Sequence, residues 1–430
     1  MKRHIKPDRL TWELLVGRAV KEQPVIELRV AEIISRVRRD GDKALYELTE
    51  QLDTVSLSSL FLSRDFLDNS ISYPGESLKE AIDVAINNIY QFHYAQKCDD
   101  VFCETTEGVK CSLKRVPLKR VGIYIPGGSA PLFSTILMLA VPAKIAGCSE
   151  VVLFTPPGKD GFVDPIIAYT AKRLGITEIV TVGGAQAIAA MAYGTETIRR
   201  VDKIFGPGNS YVTTAKEMVS RNVAIDLVAG PSELMVIADS ACDPDFVAAD
   251  LLSQAEHGAD SQVILLTDNA KTADLVMESL GNQLNSLERK DIARQSLDMS
   301  SIIVFDSESE IIEFANLYAP EHLIISTGLP WIIASQINAA GSIFIGNYSP
   351  ESAGDYASGT NHTLPTGGWA KSTGGVTLDS FMHTITIQEI SPMGLLNLGP
   401  SISLMAEMEQ LQGHKRAVDI RLQKLKSKNL

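Results

Sequence analysis

At 430 residues, 45% hydrophobic and 21% charged, the chain has an ordinary globular composition and more length than one core usually serves, so two or more domains are expected. A net charge of −13 without a conspicuous Lys/Arg run disfavours nucleic acid and anionic membrane as partners. Five cysteines (Cys98, Cys103, Cys111, Cys148, Cys242) form no CxxC pair, which argues against a disulfide framework and for a reducing compartment.

The start, MKRHIKPDRL, has no apolar stretch behind its basic residues, so no signal peptide is expected and the location reads as cytoplasmic. Residues 24 to about 55 read as helix, with Val30, Ile33, Ile34 and Val37 at helical spacing and Gly41 as a stop. A second helical phase covers Ser77 to Tyr90. From Val121, short apolar runs end in Gly/Pro turns and lead into helices: GIYIPGG, VVLFTPPG, EIVTVGG, KIFGPG and DLVAGP. That is the strand–turn–helix grammar of a parallel sheet covered on both faces. Its Gly-rich turns (Gly127-Gly128, Gly183-Gly184 and Gly206 to Asn209) would then share the carboxyl edge, where backbone N–H groups and helix N-termini receive phosphates. No GxGxxG fingerprint supports a dinucleotide directly. The run Thr135 to Val141 is the most apolar; stopped by Pro142, it is too short to span a membrane.

A second strand–helix series opens at Glu233 with LMVIAD, QVILLTD, SIIVFD, HLIIST and GSIFIG. After Gly375 the rhythm stops, and residues 404–425 read as helix interrupted at Gly413. The fold class is α/β: two incomplete Rossmann-like domains with mostly parallel sheets, plus small N- and C-terminal helical dimerisation segments. The expected division is 1–23, a helical segment; 24–120 with 232–376, an α/β domain; 121–231, a nucleotide-type domain; and 377–430, a tail.

Chemistry concentrates in the second series. In SQAEHG, a helix capped by Asp243 and Pro244 runs to His257 and ends at Gly258, with Gln254 and His257 on one face of its last turn. The pair suits a cation, although a histidine at a helix C-terminus has the same pattern. Glu321-His322 precedes an apolar strand and offers an acid–base pair, against which stands the alternation of side chains along a strand. The polar stretch 349–362 holds Asp355 and His362 as candidates; a solvated loop is the plain alternative. His414 in the tail has the pattern of a surface histidine.

Taken together, GIYIPGGSAPLFSTILMLAVPAKIAGC (122–148), VGGAQAIAAMAYGT (182–195), KIFGPGN (203–209), AGPSE (229–233), DLLSQAEHG (250–258), PEHL (320–323) and SPESAGDYASGTNHTLPTGG (349–368) closely resemble histidinol dehydrogenase, from the front scaffold to about residue 425. The resemblance implies NAD⁺-dependent four-electron oxidation of L-histidinol through L-histidinaldehyde to L-histidine, with one Zn²⁺ per subunit and a homodimer that shares its active sites. It implies Gln254, His257, Asp355 and the partner copy's His414 as metal ligands, and Glu321 and His322 as catalytic. Ser232, Gln254, His257, His322, Asp355, Glu409 and His414 would contact substrate, and Tyr124, Gln186 and Asn209 the NAD. Cys111 and Cys148 invite a thiohemiacetal route, but Cys148 follows an apolar helix and reads as packing. His362 is not carried over as a ligand. Competing expectations are a relative oxidising another amino or sulfonated alcohol, a zinc hydrolase without nucleotide, and a non-catalytic binding protein.

Overall fold

A computed structural model describes residues 1–18, 24–127, 131–228 and 230–427. Gly128, in the first Gly-rich turn, therefore lies outside the described residues. Strand β1 is Lys2–Ile5, and β2 (Val101–Thr106) and β3 (Val109–Pro117) follow a helical stretch. Next come β4 (Arg120–Tyr124), β5 (Glu150–Phe154), β6 (Glu178–Val180), β7 (Lys203–Phe205) and β8 (Ala224–Ile225). The second series is β9 (Glu233–Ala238), β10 (Gln262–Thr267), β11 (Ser301–Val304), β12 (His322–Ser326) and β13 (Ser342–Ile345), before a late β14 (Met382–Ile390).

Two parallel sheets result, in the order β6-β5-β4-β7-β8 and β1-β11-β10-β9-β12-β13. Leaving β1 aside, both follow one plan. The first strand of each series is central, the next two lie to one side, and the last two lie to the other. Each sheet therefore has a switch in strand order, between β4 and β7 or between β9 and β12, where adjacent loops diverge and leave a crevice. Burial on both faces explains the unbroken apolar runs: β4 and β9 are buried at every residue.

Four local features depart from the sequence reading. First, the N-terminal segment is not wholly helical: Lys2–Ile5 pairs in parallel with β11 as an edge strand. Second, the helix Pro24–Asp53, bent at Gly41 (φ 54°), buries Val30, Ile34, Val37, Leu45 and Leu48 in the core that contains Val152, Phe154 and Ile188 of the five-stranded sheet and its helices. It thus packs on the first parallel sheet, not on the second with which residues 24–120 were grouped. Third, the helix Phe133–Ala146 continues through Pro142. Proline removes the N–H that would bond the Met138 carbonyl, and Asn361 Nδ2 donates to that oxygen instead, at 2.6 Å. Fourth, the tail's break falls at Gln410 (φ 60°), between helices Pro392–Met408 and Gln412–Ser427, so Gly413 lies inside a helix.

By packing, residues 1–96 with 119–381 form one compact unit, and 97–118 with 382–430 a second. The second unit is the antiparallel sheet β14-β3-β2 with the two tail helices. Among the described residues no helix is long and apolar enough to cross a membrane.

Candidate active site

The helix Pro244–Ala255 begins as its sequence demands, with Asp243 accepting from the Asp245 N–H and proline at the first position. It runs back along the sheet from the carboxyl end of β9, so its last turn arrives at the amino edge. The helix ends at Ala255, and His257 sits in the following turn with its N–H bonded to the Gln254 carbonyl at 3.2 Å. Gln254 is 1% exposed, yet neither its Oε1 nor its Nε2 has a hydrogen-bond partner. Such a carboxamide is costly unless something else is bound there. His257 itself is an exposed residue. Partial withdrawal from water, then the Arg289 charge, lower its pKa against the pull of Glu256, which favours the neutral form a metal requires.

At the same edge Glu321 and His322 grip one residue of the neighbouring strand. The Glu233 N–H donates to Glu321 Oε2 at 2.9 Å, and His322 Nδ1 lies 3.3 Å from the Glu233 carbonyl oxygen. A carbonyl only accepts, so Nδ1 carries the proton and Nε2 keeps its lone pair. Nε2 is 3.9 Å from Asp355 Oδ1. The two side chains do not diverge as strict alternation would require, because Glu321 precedes the strand; Oε2 stands 3.8 Å from His322 Nδ1. Burial holds Glu321 well above the usual carboxyl range and His322 down at about 3.

Stretch 349–362 contains the short helix Glu351–Tyr356, not an irregular loop. Its i,i+4 pair, Glu351 and Asp355, turns towards His322, with Glu351 Oε1 at 3.4 Å from Nδ1. Glu351 is 1% exposed and was not singled out from the sequence, although its four-residue spacing from Asp355 carried the signal. Burial, with Asp355, Glu321 and Asp250 nearby, raises its pKa well above normal. Desolvation likewise lifts Asp355 to about 6 and Asp250 to about 7. His362 Nδ1 meets the Asp355 carbonyl at 2.9 Å and its Nε2 lies 3.3 Å from Thr135 Oγ1, so this ring ties the amino edge of one sheet to the helix after β4.

The five-stranded sheet presents its carboxyl edge differently. A Cβ on Gly127 or Gly183 would strike the Pro156 ring, and one on Gly206 (φ 119°) would strike the Tyr124 carbonyl oxygen. Only glycine lets these turns close together. The Gly184 N–H donates to the Tyr124 hydroxyl at 3.0 Å, and burial pushes that hydroxyl up to about 12. Gln186, also 1% exposed, has an Oε1 without a partner.

A family model described as histidinol dehydrogenase matches residues 17–422. The histidinol dehydrogenase of Bacteroides fragilis (strain YCH46) is 52% identical over 421 residues, 98% of each chain. That of Vibrio parahaemolyticus is 50% identical over 410 residues, covering 95% of this chain and 94% of its own. The chain belongs to the histidinol dehydrogenase family. A crystal structure of histidinol dehydrogenase from Elizabethkingia anophelis superposes with a TM-score of 0.97 at 49% identity, covering 99% of both chains. Membership places the chain among the oxidoreductases of histidine biosynthesis.

The remaining residues expected from the histidinol dehydrogenase resemblance fall in three places. Ser232 immediately precedes β9, its carbonyl bonded to the Gln262 N–H at 3.1 Å. Asn209 is exposed at the entry to helix Ser210–Val219, where its side chain accepts from the Tyr211 and Val212 N–H groups as a cap. Glu409 and His414 are exposed on the second unit, at the end of one tail helix and the start of the next. Among the described residues no three His, Cys, Asp or Glu side chains stand together as a cation site. The expected set draws only two such groups, His257 and Asp355, from one copy. Cys148 packs with its Sγ 3.7 Å from the Phe381 carbonyl, and burial raises the thiol to about 11, which leaves little thiolate. Cys111 pairs in register with Cys103 on the second unit's sheet.

Proposed function

We propose that this chain oxidises L-histidinol through L-histidinaldehyde to L-histidine, consuming one water and reducing two NAD⁺. The observation that carries the proposal is the buried, unpartnered Gln254 carboxamide beside His257, at the edge where Glu321, His322 and Asp355 converge, in a chain half identical to histidinol dehydrogenases. The donor set fits Zn²⁺: an amide oxygen, a neutral imidazole and a carboxylate from one copy, with His414 from a second. Zinc bound there would supply a fixed positive charge to hold the substrate nitrogens, and NAD⁺ bound at the glycine-lined edge would supply the hydride acceptor.

The chain's own groups handle protons and position. His322, neutral and oriented through Nδ1, takes the alcohol proton at Nε2; Glu321, Glu351 and Asp355 surround the ring and offset the charge it gains. Glu321, made more basic by burial, takes the proton of the water that attacks the aldehyde. The Glu233 peptide, bonded to both residues, keeps base and acid in mutual register. Ser232 and the partner copy's Glu409 contact the substrate, while Tyr124, Gln186 and Asn209 line the NAD edge. The protein works as a homodimer with shared sites.

Incubation of zinc-loaded protein with histidinol and NAD⁺ tests this, with two NADH expected per histidine formed. No NADH above background would overturn it, and would favour a hydrolase or a binding protein. Mixing His414→Ala with His257→Ala subunits should restore about a quarter of the sites through heterodimers, since each retains one intact site. No recovery would confine the tail to its own chain.

A further inference from the structure

The proposed reaction makes no use of the ion pair between Lys216 and Asp226, although among the described residues of unit 1 the pair is the most deeply buried, at 3% and 1% exposure. Two charges withdrawn from water are tolerated only when matched to one another and to further hydrogen bonds. Here the further partners belong to one turn. Lys216 Nζ donates to the Gly206 carbonyl at 2.9 Å, and the Gly206 N–H donates to Asp226 Oδ2 at 2.7 Å. Asp226 Oδ1 also accepts from the Leu227 N–H at 2.7 Å. Both polar groups of Gly206 are therefore committed to the pair. The pair joins three stretches: the turn after β7, the helix Ser210–Val219 that the turn leads into, and the chain just past β8. Gly206 itself is at φ 119°, which glycine adopts readily and where a Cβ would strike the Tyr124 carbonyl oxygen, so several backbone shapes are open to this turn unless its polar groups are fixed.

This turn borders the crevice between β4 and β7, and Tyr124 at the end of β4 meets both it and the Gly183-Gly184 turn, its carbonyl against Gly206 and its hydroxyl accepting the Gly184 N–H. If the pair served only folding, a pair of apolar side chains of similar size would do as well. We infer that Lys216 and Asp226 are positioning residues for the dinucleotide: an internal ion pair that holds residues 206–209 in the shape that receives its phosphates. The inference rests on the reading of that edge as the NAD site.

The test uses the full-length, zinc-loaded protein, with NADH binding followed by fluorescence and KM measured separately for NAD⁺ and histidinol. The paired variant Lys216→Met/Asp226→Leu removes both charges and preserves the core. It should raise the NADH Kd and the NAD⁺ KM about ten- to hundredfold, with histidinol KM and zinc content near wild type, and lower the melting temperature because the Gly206 and Leu227 polar groups lose their partners. Asp226→Asn, which retains one acceptor for the turn, should give a smaller rise confined to NAD. Wild-type NADH affinity in either folded variant would overturn the inference, as would a loss shared equally by histidinol and zinc. A wild-type protein that fails to bind NADH would instead remove the cofactor reading itself.

Discussion

The two parallel sheets share one strand plan but carry their candidate site residues at opposite edges. In the five-stranded sheet the crevice between β4 and β7 is lined at the carboxyl edge by glycines and backbone, the arrangement that doubly wound folds use for nucleotides. The corresponding crevice of the six-stranded sheet is closed. Asp239 accepts the N–H groups of Gly328 at 2.9 Å and Ala241 at 2.8 Å, and Asn347 donates to the Ala241 carbonyl at 3.2 Å. Its candidate catalytic groups gather at the amino edge, where Glu233 and His322 open their strands, Glu321 immediately precedes one and Gln254 lies in the last turn of a returning helix. A shared topology therefore does not place the chemistry. A large phosphate-bearing ligand is met by close-lying backbone, whereas proton transfer needs buried carboxyl and imidazole groups within a few ångströms of one another.

That contrast can be broken by substitutions at either edge. The largest effect is expected for Glu321→Gln, which should slow the aldehyde-to-acid half about a thousandfold while sparing more of the alcohol-to-aldehyde half. Single-turnover measurements from histidinol and from histidinaldehyde separate the two, and equal losses would dissolve the division of labour. His257→Ala should lower zinc affinity about a hundredfold and turnover with it. Metal analysis after dialysis decides this: wild-type zinc content would remove His257 from the ligand set.

A smaller effect concerns Asp250, whose pKa is raised by burial to about 7. Between the ordinary carboxyl range and that value the folded protein holds a proton that the unfolded chain releases. The contribution of this group to stability therefore falls as pH rises through this window. Asp250→Asn should be more stable than wild type at pH 8, on the order of 1–3 kcal/mol, and the difference should vanish towards pH 4. Urea unfolding at both pH values checks it, and a gain independent of pH would show that burial of charge is not its source. The smallest effect falls at the cofactor edge, where Tyr124→Phe removes the acceptor of the Gly184 N–H. The expected cost is about 1 kcal/mol, or roughly fivefold in NAD⁺ KM with kcat unchanged.

Much of the scaffold was legible before any coordinates. Both strand–helix series, the capped start of helix Pro244–Ala255 and the glycine turns follow from periodicity and from the special backbone needs of Pro, Gly and Asp. What escaped was non-local. Nothing near Lys2–Ile5 says that a strand pairs 300 residues away with β11, and the exposed face of β14 lacks the apolar run that marks a buried strand. Pro142 reads as a stop because its remedy, Asn361, is more than 200 residues distant.

The same division holds at the site. Gln254 and His257 stand out as candidates from their three-residue spacing, with a plain helix-terminal histidine as the alternative, whereas the family is legible in the long ordered strings around them. Local spacing goes no further, because the helix ends at Ala255 and His257 lies in the turn beyond it. Only the tertiary structure decided that Gln254 would be buried without a partner, that Glu351 would reach His322, and that Lys216 and Asp226 would close on Gly206. Burial and charge pairing are properties of the packed chain, set by which distant segments exclude water from a side chain.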